Sequence, residues 1–368
     1  MARPTKALIS KSALRHNYKV AQSLAPDSNN LAVIKANAYG HGAVVIASIL
    51  EPLVPAFGVA CIEEAIELRQ GGISKPILLL EGIFSSDEVE IAVANNFWIM
   101  VDNSQQANWV LNAKISAPVK VWLKVDTGMH RLGLQPNQVN DIYLSLRASE
   151  NVYDDIILTT HFSSADEHAS SATSNQIAVF NQTKLQLQNC LGKNDVIPCS
   201  LANSAALLAF PETRLNWNRL GFMLYGNSPL DQDNEASKSL MPVMSLKSAI
   251  ISIREVSAGQ SVGYNQSWTA TRNTKIATVA IGYGDGYPRS AKSGTPTLIN
   301  GQRAPLAGRV SMDMITIDVT DIVDVKLGDD VILWGAELPV NEIAEFSDTI
   351  GYEVLTRLSS RTPSILID

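Results

Sequence analysis

Residues 31–42 read LAVIKANAYGHG, a short apolar run that ends at a lysine and passes into a loop. Seven more runs of this kind follow before residue 226. Near-continuous apolar strands are buried on both faces, and most of the segments between these runs have helical spacing. The predicted strands are Leu31–Lys35, Ala56–Ala60, Pro76–Leu80, Phe97–Val101, Lys120–Val125, Ile156–Phe162, Val196–Leu201 and Trp217–Tyr225.

Eight strands that alternate with helices predict an α/β fold with a (β/α)8 barrel of the TIM type. Residues 62–67 illustrate the helical spacing, because their apolar side chains share one face and the glutamates, Glu64 among them, point away. An open doubly wound sheet is the alternative that the strand count alone leaves open.

A change of pattern predicts a domain boundary near residue 235. Residues 227–239 are polar and lack apolar periodicity, which is typical of a linker. The short apolar runs beyond it are separated by Gly, Asp and Pro turns and predict a mostly-β C-terminal domain. We therefore predict a barrel domain over residues 1–235 and a β-rich domain over residues 236–368. Its predicted strands are Leu246–Ile253, Lys275–Ile281, Met314–Val319 and Asp330–Leu333.

Composition excludes several classes of partner. The 368 residues include 29 Lys and Arg against 36 Asp and Glu without a basic run, so we expect no nucleic-acid binding. The N-terminus lacks the apolar core of a secretory signal, and no run approaches the roughly 20 apolar residues that span a bilayer, so we predict a soluble, cytoplasmic protein. The three cysteines form no CxxC pattern and the histidines do not cluster, so neither a disulfide nor a metal site is predicted.

Charged residues stand at the carboxyl ends of several predicted strands, where barrels of this type place their active sites. Lys35, Arg131, His161 and Arg219 belong to four different strand ends, and their convergence indicates an anionic ligand. Hydroxyl and backbone N–H donors around residues 204 and 221–222 suit a phosphate. A buried lysine amine is a nucleophile toward carbonyl groups, although a lysine at a strand end can simply extend into solvent.

Seven motifs occur in the order in which alanine racemases carry them, over nearly the whole chain. They are VIKANAYGHG, KVDTGMHRLG, THFSSAD, SLANSAA, RLGFMLYG, GYGDGYPR and GRVSMDM. The chain therefore resembles the alanine racemases. The resemblance implies pyridoxal 5'-phosphate as cofactor, alanine as substrate and a homodimer as the working form.

The resemblance also implies a role for individual residues. Lys35 matches the lysine that holds the cofactor as a Schiff base and acts as one catalytic base, and Tyr264 matches the second base. Arg219 resembles the arginine at the pyridine nitrogen, and His161 the residue beside it. The phosphate contacts of the family correspond to Tyr39, Ser204, Gly221, Phe222 and Tyr352.

Further positions match the substrate site and its entrance. Arg131 corresponds to the arginine near the cofactor's phenolic oxygen and the substrate carboxylate, and Lys124 to the lysine whose carbamate positions that arginine. In the family, the residues matching Tyr264, Tyr283, Met312 and Asp313 serve the active site of the other subunit. The remaining positions implied along the entrance are Asp166, Arg289 and Arg309, with Tyr283 and Tyr352 narrowing it.

These roles agree with elementary chemistry. An arginine at the pyridine nitrogen donates a hydrogen bond but keeps its proton, which limits electron withdrawal and favours reprotonation of the α-carbon over transamination. Inversion needs one group on each face of that carbon. A phenol needs nearby positive charge to release its proton near neutral pH, and we expect His161 and Arg219 to supply it for Tyr264.

Three rival functions share the architecture or part of it. A broad-specificity racemase would use the same residues. A decarboxylase normally needs an acidic partner at the pyridine nitrogen, which Arg219 is not, and a cofactor carrier would lack the β domain. The chain departs from the family pattern at Leu220 and in residues 361–365, RTPSI, neither of which is a proposed catalytic position.

Overall fold

The computed structural model describes residues 3–192 and 195–368. The chain begins with β1 (Lys6–Ser10) and α1 (Lys11–Leu24), whose first turn is capped by the Ser10 hydroxyl accepting from the Ala13 N–H. Eight parallel strands then form a closed barrel, which confirms the predicted (β/α)8 fold. These strands are β2 (Asn29–Val33), β3 (Phe57–Val59), β4 (Ile77–Leu79), β5 (Phe97–Val101), β6 (Val121–Lys124), β7 (Ile157–Thr159), β8 (Cys199–Ser200) and β9 (Trp217–Leu220).

Helical segments connect the strands of the barrel and cover it. Residues Ile62, Ala65 and Leu68 are buried on one face of α4, in agreement with the apolar spacing of that segment. The helices are α2 (Lys35–Tyr39), α3 (Ala43–Leu50), α4 (Ile62–Gln70), α5 (Glu88–Ala94), α6 (Ser104–Asn112), α7 (Val139–Arg147), α8 (Ala172–Cys190) and α9 (Ser204–Ala209).

The eighth barrel strand is shorter than predicted. The apolar run continues to Tyr225, but β9 ends at Leu220 and residues Phe222–Tyr225 form one 3-10 turn. All four side chains of that turn are buried, so hydrophobicity carries no signal for the end of the strand. The backbone leaves the extended conformation at Gly221, where φ is −110° and ψ is −105°.

A second sheet occupies the C-terminal half and confirms the predicted mostly-β architecture. Within it β1 lies between β10 and β18, with Ala7 paired to Leu246 on one side and to Ser364 on the other. The first strand of the chain therefore belongs to this sheet and not to the barrel. The elements are α10 (Glu235–Lys238), β10 (Met244–Val256), β11 (Ser261–Val262), β12 (Trp268–Thr269), β13 (Thr274–Val279), β14 (Pro296–Ile299), β15 (Gln302–Pro305), β16 (Ile315–Asp318), β17 (Asp330–Trp334), α11 (Val340–Glu345), α12 (Gly351–Thr356) and β18 (Ser364–Ile367).

Two further features, a membrane-spanning helix and a metal site, are both absent from residues 3–192 and 195–368. None of the helices there combines the length and apolarity that a bilayer crossing requires. Nor do three or more His, Cys, Asp or Glu side chains come together there as a metal site would need.

Candidate active site

A cavity of about 580 Å³ lies at the carboxyl end of the barrel, within the size range of small-molecule sites. It brings together residues from β2, β6, β9 and the loops that follow the strands. The predicted site residues that line it are Lys35, Tyr39, Lys124, Arg131, His161, Ser204, Arg219, Gly221, Phe222 and Tyr352.

The segment after Lys35 is a left-handed turn. Residues Ala36–Tyr39 all have φ between +51° and +54°, a conformation that costs roughly 1–2 kcal/mol per residue for side chains other than glycine. The Glu64 carboxylate accepts hydrogen bonds from the N–H groups of Ala36 (2.7 Å) and Ala60 (2.8 Å), which fixes the start of the turn. This backbone path directs both Lys35 and Tyr39 into the cavity.

His41 supports the other end of the turn. Its Nδ1 lies 3.0 Å from the carbonyl oxygen of Ala38 and 2.9 Å from that of Tyr39, so it donates to both. The ring is fully buried against Tyr225, with 4.6 Å between ring centroids. Burial lowers the pKa of His41 to about 4, and the side chain is therefore neutral at physiological pH.

One corner of the cavity is rich in donors. The Ser204 hydroxyl oxygen accepts from the N–H groups of Gly221 (2.9 Å) and Met223 (3.3 Å), and the side chains of Tyr39 and Tyr352 line the same cavity. Burial raises the pKa of Tyr39 to about 12 and that of Tyr352 further, so both phenols stay protonated and can donate. A Cβ on Gly221 would lie 2.8 Å from the Tyr39 hydroxyl, so a glycine is needed to keep this corner open.

Arg219 lies inside the barrel and is surrounded by neutral acceptors. Nη1 donates to the Ser200 hydroxyl (2.7 Å) and Nη2 to the carbonyl oxygen of Thr160 (2.7 Å), with further bonds to strand carbonyls and the Thr159 hydroxyl. Among the described residues, Nε has no hydrogen-bond partner, although Arg219 lines the cavity. Burial lowers the pKa of Arg219 to about 10, which still leaves it charged at neutral pH.

His161 lies beside Arg219 but is not cationic. Its Nδ1 is 3.4 Å from Nη2 of Arg219. Burial and then the positive charge of Arg219 hold its pKa well below the ordinary value, so it is neutral at physiological pH. The expectation that His161 supplies positive charge to Tyr264 is therefore wrong.

Lys124 is a buried amine near three other positive charges. Burial, followed by the charge of Arg219, lowers its pKa to about 8, against the opposing effect of Asp102. Oδ2 of Asp102 is itself buried without a hydrogen-bond partner in residues 3–192 and 195–368. Arg131 is exposed at the rim of the same cavity.

Two family models match the chain. The alanine racemase N-terminal domain matches residues 9–229, and the alanine racemase C-terminal domain matches residues 243–366. The chain belongs to the alanine racemase family. This confirms the resemblance, and it confirms the predicted enzyme class, an isomerase.

Individual members of the family are similar over their full length. An alanine racemase of Vibrio cholerae is 47% identical over 355 residues, covering 96% of both chains. One from Chromohalobacter salexigens is 45% identical over 363 residues, covering 99% of this chain and 98% of that relative. The crystal structure of the biosynthetic alanine racemase from Pseudomonas aeruginosa superimposes with a TM-score of 0.94 at 43% identity, covering 100% of both chains.

Seven predicted site residues lie outside the cavity of their own chain. Tyr264, Tyr283 and Met312 are exposed on the C-terminal half, at 65%, 40% and 52%. The guanidinium carbon of Arg289 lies 5.9 Å from the centre of the Tyr283 ring, and Arg289 shares a shallow depression with Arg309. The remaining two, Asp166 and Asp313, are also exposed.

Several residues of the site were missed from the sequence. Glu64 was assigned to a solvent face, yet its side chain reaches back to the turn after Lys35. The acceptors around Arg219 include Thr159 and Ser200, polar residues within otherwise apolar strands. That interruption was the available signal, because a polar residue inside a barrel strand needs a buried partner.

Proposed function

We propose that the chain is an alanine racemase that uses pyridoxal 5'-phosphate to interconvert L-alanine and D-alanine. The observation that carries the proposal is Arg219, a buried cation whose Nη donors are used by neutral oxygens and whose Nε has no hydrogen-bond partner among residues 3–192 and 195–368. The activity named for relatives at 45–47% identity over nearly the whole chain supports the same substrate.

The residues of the cavity fit this cofactor. The Lys35 amine would hold it, Nε of Arg219 would meet the ring nitrogen, and the phosphate would lie between the Tyr39 and Tyr352 hydroxyls and the Ser204 corner. His161 would pack against the ring of the cofactor, and Phe222 would lie beside its phosphate. The absence of a Cβ at Gly221 leaves the space that the phosphate needs. Once bound, pyridoxal 5'-phosphate would supply an electron sink that makes the α-proton of an amino acid removable.

Arg219 also favours racemisation over rival reactions. It keeps its proton and donates only a hydrogen bond, whereas decarboxylases normally present an acid to the ring nitrogen. A proton would therefore be delivered to the α-carbon and not to the cofactor. Arg131 at the cavity rim would bind the substrate carboxylate, and a carbamate on Lys124 would orient Arg131.

Two bases are required on opposite faces of the α-carbon. Lys35 would serve one face and Tyr264 of the partner subunit the other, because Tyr264 does not line the cavity of its own chain in the part that the structure describes. Arg219, not His161, would supply the positive charge that helps the phenol release its proton. The side chains of Tyr264, Tyr283, Met312 and Met314 are all exposed, and a second copy of the chain would cover them.

The entrance would then be shared between two chains. Met312 would contact substrate, and Tyr283 with Tyr352 would narrow the passage to the size of a small amino acid. Further out would lie Asp166, Arg289, Arg309 and Asp313. We also propose a domain boundary after residue 235, with residues 1–235 forming the barrel domain except for β1, which joins the sheet of the β-rich domain over residues 236–368. The enzyme would work in the cytoplasm, where it would supply D-alanine as a peptidoglycan precursor or consume it.

The first test measures racemisation and exchange of the α-proton. Purified protein with pyridoxal 5'-phosphate and L-alanine in deuterium oxide should form D-alanine that carries deuterium at the α-carbon, and Lys35→Ala should not. If the protein binds the cofactor but exchanges the α-proton of no small amino acid, it would be a cofactor carrier or a decarboxylase. Comparable exchange of serine, lysine and alanine would instead indicate a broad-specificity racemase.

The second test asks whether the site is shared. Lys35→Ala and Tyr264→Phe dimers should each be inactive on their own, but each mixed dimer should contain one intact site, with Lys35 from one chain and Tyr264 from the other. Statistical exchange of subunits should restore about a quarter of wild-type activity. No recovery, with exchange confirmed by mass spectrometry, would place both bases in one chain, and an active Tyr264→Phe dimer would remove Tyr264 from the mechanism.

A further inference from the structure

A buried carboxylate lies at the centre of the GYGDGYPR motif. The Asp285 side chain is fully buried, accepts a hydrogen bond from the Gly282 N–H (2.9 Å) and pairs with Nη2 of Arg3 at 2.6 Å. On its other side, Nε of Arg361 lies 3.3 Å from Oδ1. One carboxylate thus connects two arginines from the two ends of the described chain.

Both arginines also reach Asp313. Nη2 of Arg3 donates to the Asp313 carbonyl oxygen (3.0 Å), and Nη2 of Arg361 donates to the Asp313 carboxylate (2.6 Å). We call Arg3, Asp285, Asp313 and Arg361 the terminal cluster. It has two positive and two negative groups, so each charge has an opposite neighbour.

The terminal cluster holds two segments that are also joined by their backbones. The Tyr283 N–H donates to the Ser311 carbonyl (3.0 Å), and the Gly284 N–H to the Met312 carbonyl (2.8 Å). Arg361 packs directly on this junction, because a Cβ on Gly284 would lie 2.4 Å from its Nη1. Tyr283 and Met312 remain exposed above it.

We propose that Arg3 and Arg361, acting through Asp285 and Asp313, are positioning residues that fix Tyr283 and Met312 for the substrate entrance of the partner subunit. The inference rests on the proposed function, which assigns that entrance to these residues. Neither arginine is among the described residues that line the cavity of its own chain. They therefore determine how well ordered the two surface segments are, and they do not act on the chemical step.

The test uses Arg361→Gln and Arg3→Gln in the cofactor-loaded dimer. Both arginines are partly exposed, so the variants should fold, whereas removal of the buried Asp285 would leave two adjacent cations. Arg272→Gln is the matched control, because it breaks an exposed ion pair with Asp321 in the same half of the chain. Methionine methyl groups are labelled with ¹³C, and the Met312 signal is assigned by its loss in Met312→Leu.

We expect the Met312 signal to shift and narrow in Arg361→Gln and Arg3→Gln, and KM for alanine to rise about fivefold while kcat changes less than KM. Arg361→Lys should recover part of both effects, and Arg272→Gln should show neither. An unchanged Met312 signal would overturn the inference. A mobile Met312 with unchanged KM would also overturn it, and the mixed-dimer experiment would then show whether the shared site itself had failed.

Discussion

The Glu64 carboxylate accepts a hydrogen bond from the N–H of Ala36, the residue that follows Lys35, at 2.7 Å. Its other oxygen accepts from the Ala60 N–H at 2.8 Å, just beyond β3. The Glu64 side chain on α4 therefore links the turn after Lys35 to the backbone just beyond β3. The position of the Lys35 amine depends on this link.

Glu64→Gln should reduce kcat about tenfold, because one of the two backbone N–H groups would face an amide N–H and the turn would shift. The absorbance band of the bound cofactor should shift as well, which reports the lysine environment independently of turnover. Glu67→Gln, an exposed neighbour on the same helix, is the control. Equal spectra and rates for the two variants would refute the link between Glu64 and Lys35.

Gly221→Ala should weaken cofactor binding by about a hundredfold, because the added methyl group enters the corner proposed for the phosphate. Equilibrium dialysis of pyridoxal 5'-phosphate measures the change. The double variant Gly221→Ala, Tyr39→Phe removes the oxygen that the methyl would meet at 2.8 Å, so it should recover thermal stability but not affinity. Recovery of affinity in the double variant would place the phosphate elsewhere.

The buried neutral His41 should make stability depend on pH. Its pKa is about 4 in the folded chain and near 6.5 when unfolded, so below pH 6.5 the unfolded chain binds the proton first. The stabilising difference is complete above pH 6.5 and is lost at up to about 1.4 kcal/mol per pH unit as pH falls toward 4.

Thermal unfolding at pH 7 and pH 5 measures this dependence. The drop in Tm between the two conditions should be smaller in His41→Asn than in wild type, even though the variant is less stable at both. His168→Asn, at an exposed position, should keep the wild-type dependence. An identical drop in His41→Asn would show that other groups, such as His161, account for the acid sensitivity.

Lys124 should form a carbamate with dissolved carbon dioxide. Burial lowers its pKa to about 8, so roughly half of the amine is neutral at pH 8 and the fraction falls at lower pH. Under a constant pressure of ¹³C-labelled carbon dioxide, a carbamate signal should grow between pH 7 and pH 8.5 and be missing in Lys124→Ala. Lack of a protein-bound signal at pH 8.5 would contradict the prediction.

The barrel could be predicted because its strands are apolar on both faces and recur regularly. β1 could not, because residues 6–10 are short and their partners lie more than 230 positions away, in β10 and β18. The end of β9 was missed since burial continues through Tyr225 while the backbone leaves the strand at Gly221. The pattern of apolar residues shows which positions are buried. The pairing of β1 and the end of β9 depend instead on distant strand pairing and on the direction of the backbone.

The site residues were predicted from motifs, but their charge states were not. His161 seemed a cation from its type, whereas burial beside Arg219 makes it neutral. The left-handed path of residues 36–39 has no compositional signal, because alanine at Ala36 and Ala38 disfavours it. Both properties arise from the surrounding fold and not from the local sequence.

The position of β1 between β10 and β18 affects how the chain is made. The ribosome delivers β1 first, the barrel next and β18 last, so β1 has no partner until β10 appears and its second edge stays open until Ser364–Ile367 emerge. The barrel can close during translation, as domains generally fold in the order of synthesis. The sheet cannot be completed so early, and a strand with at least one open edge must be kept from other chains for nearly the whole of synthesis.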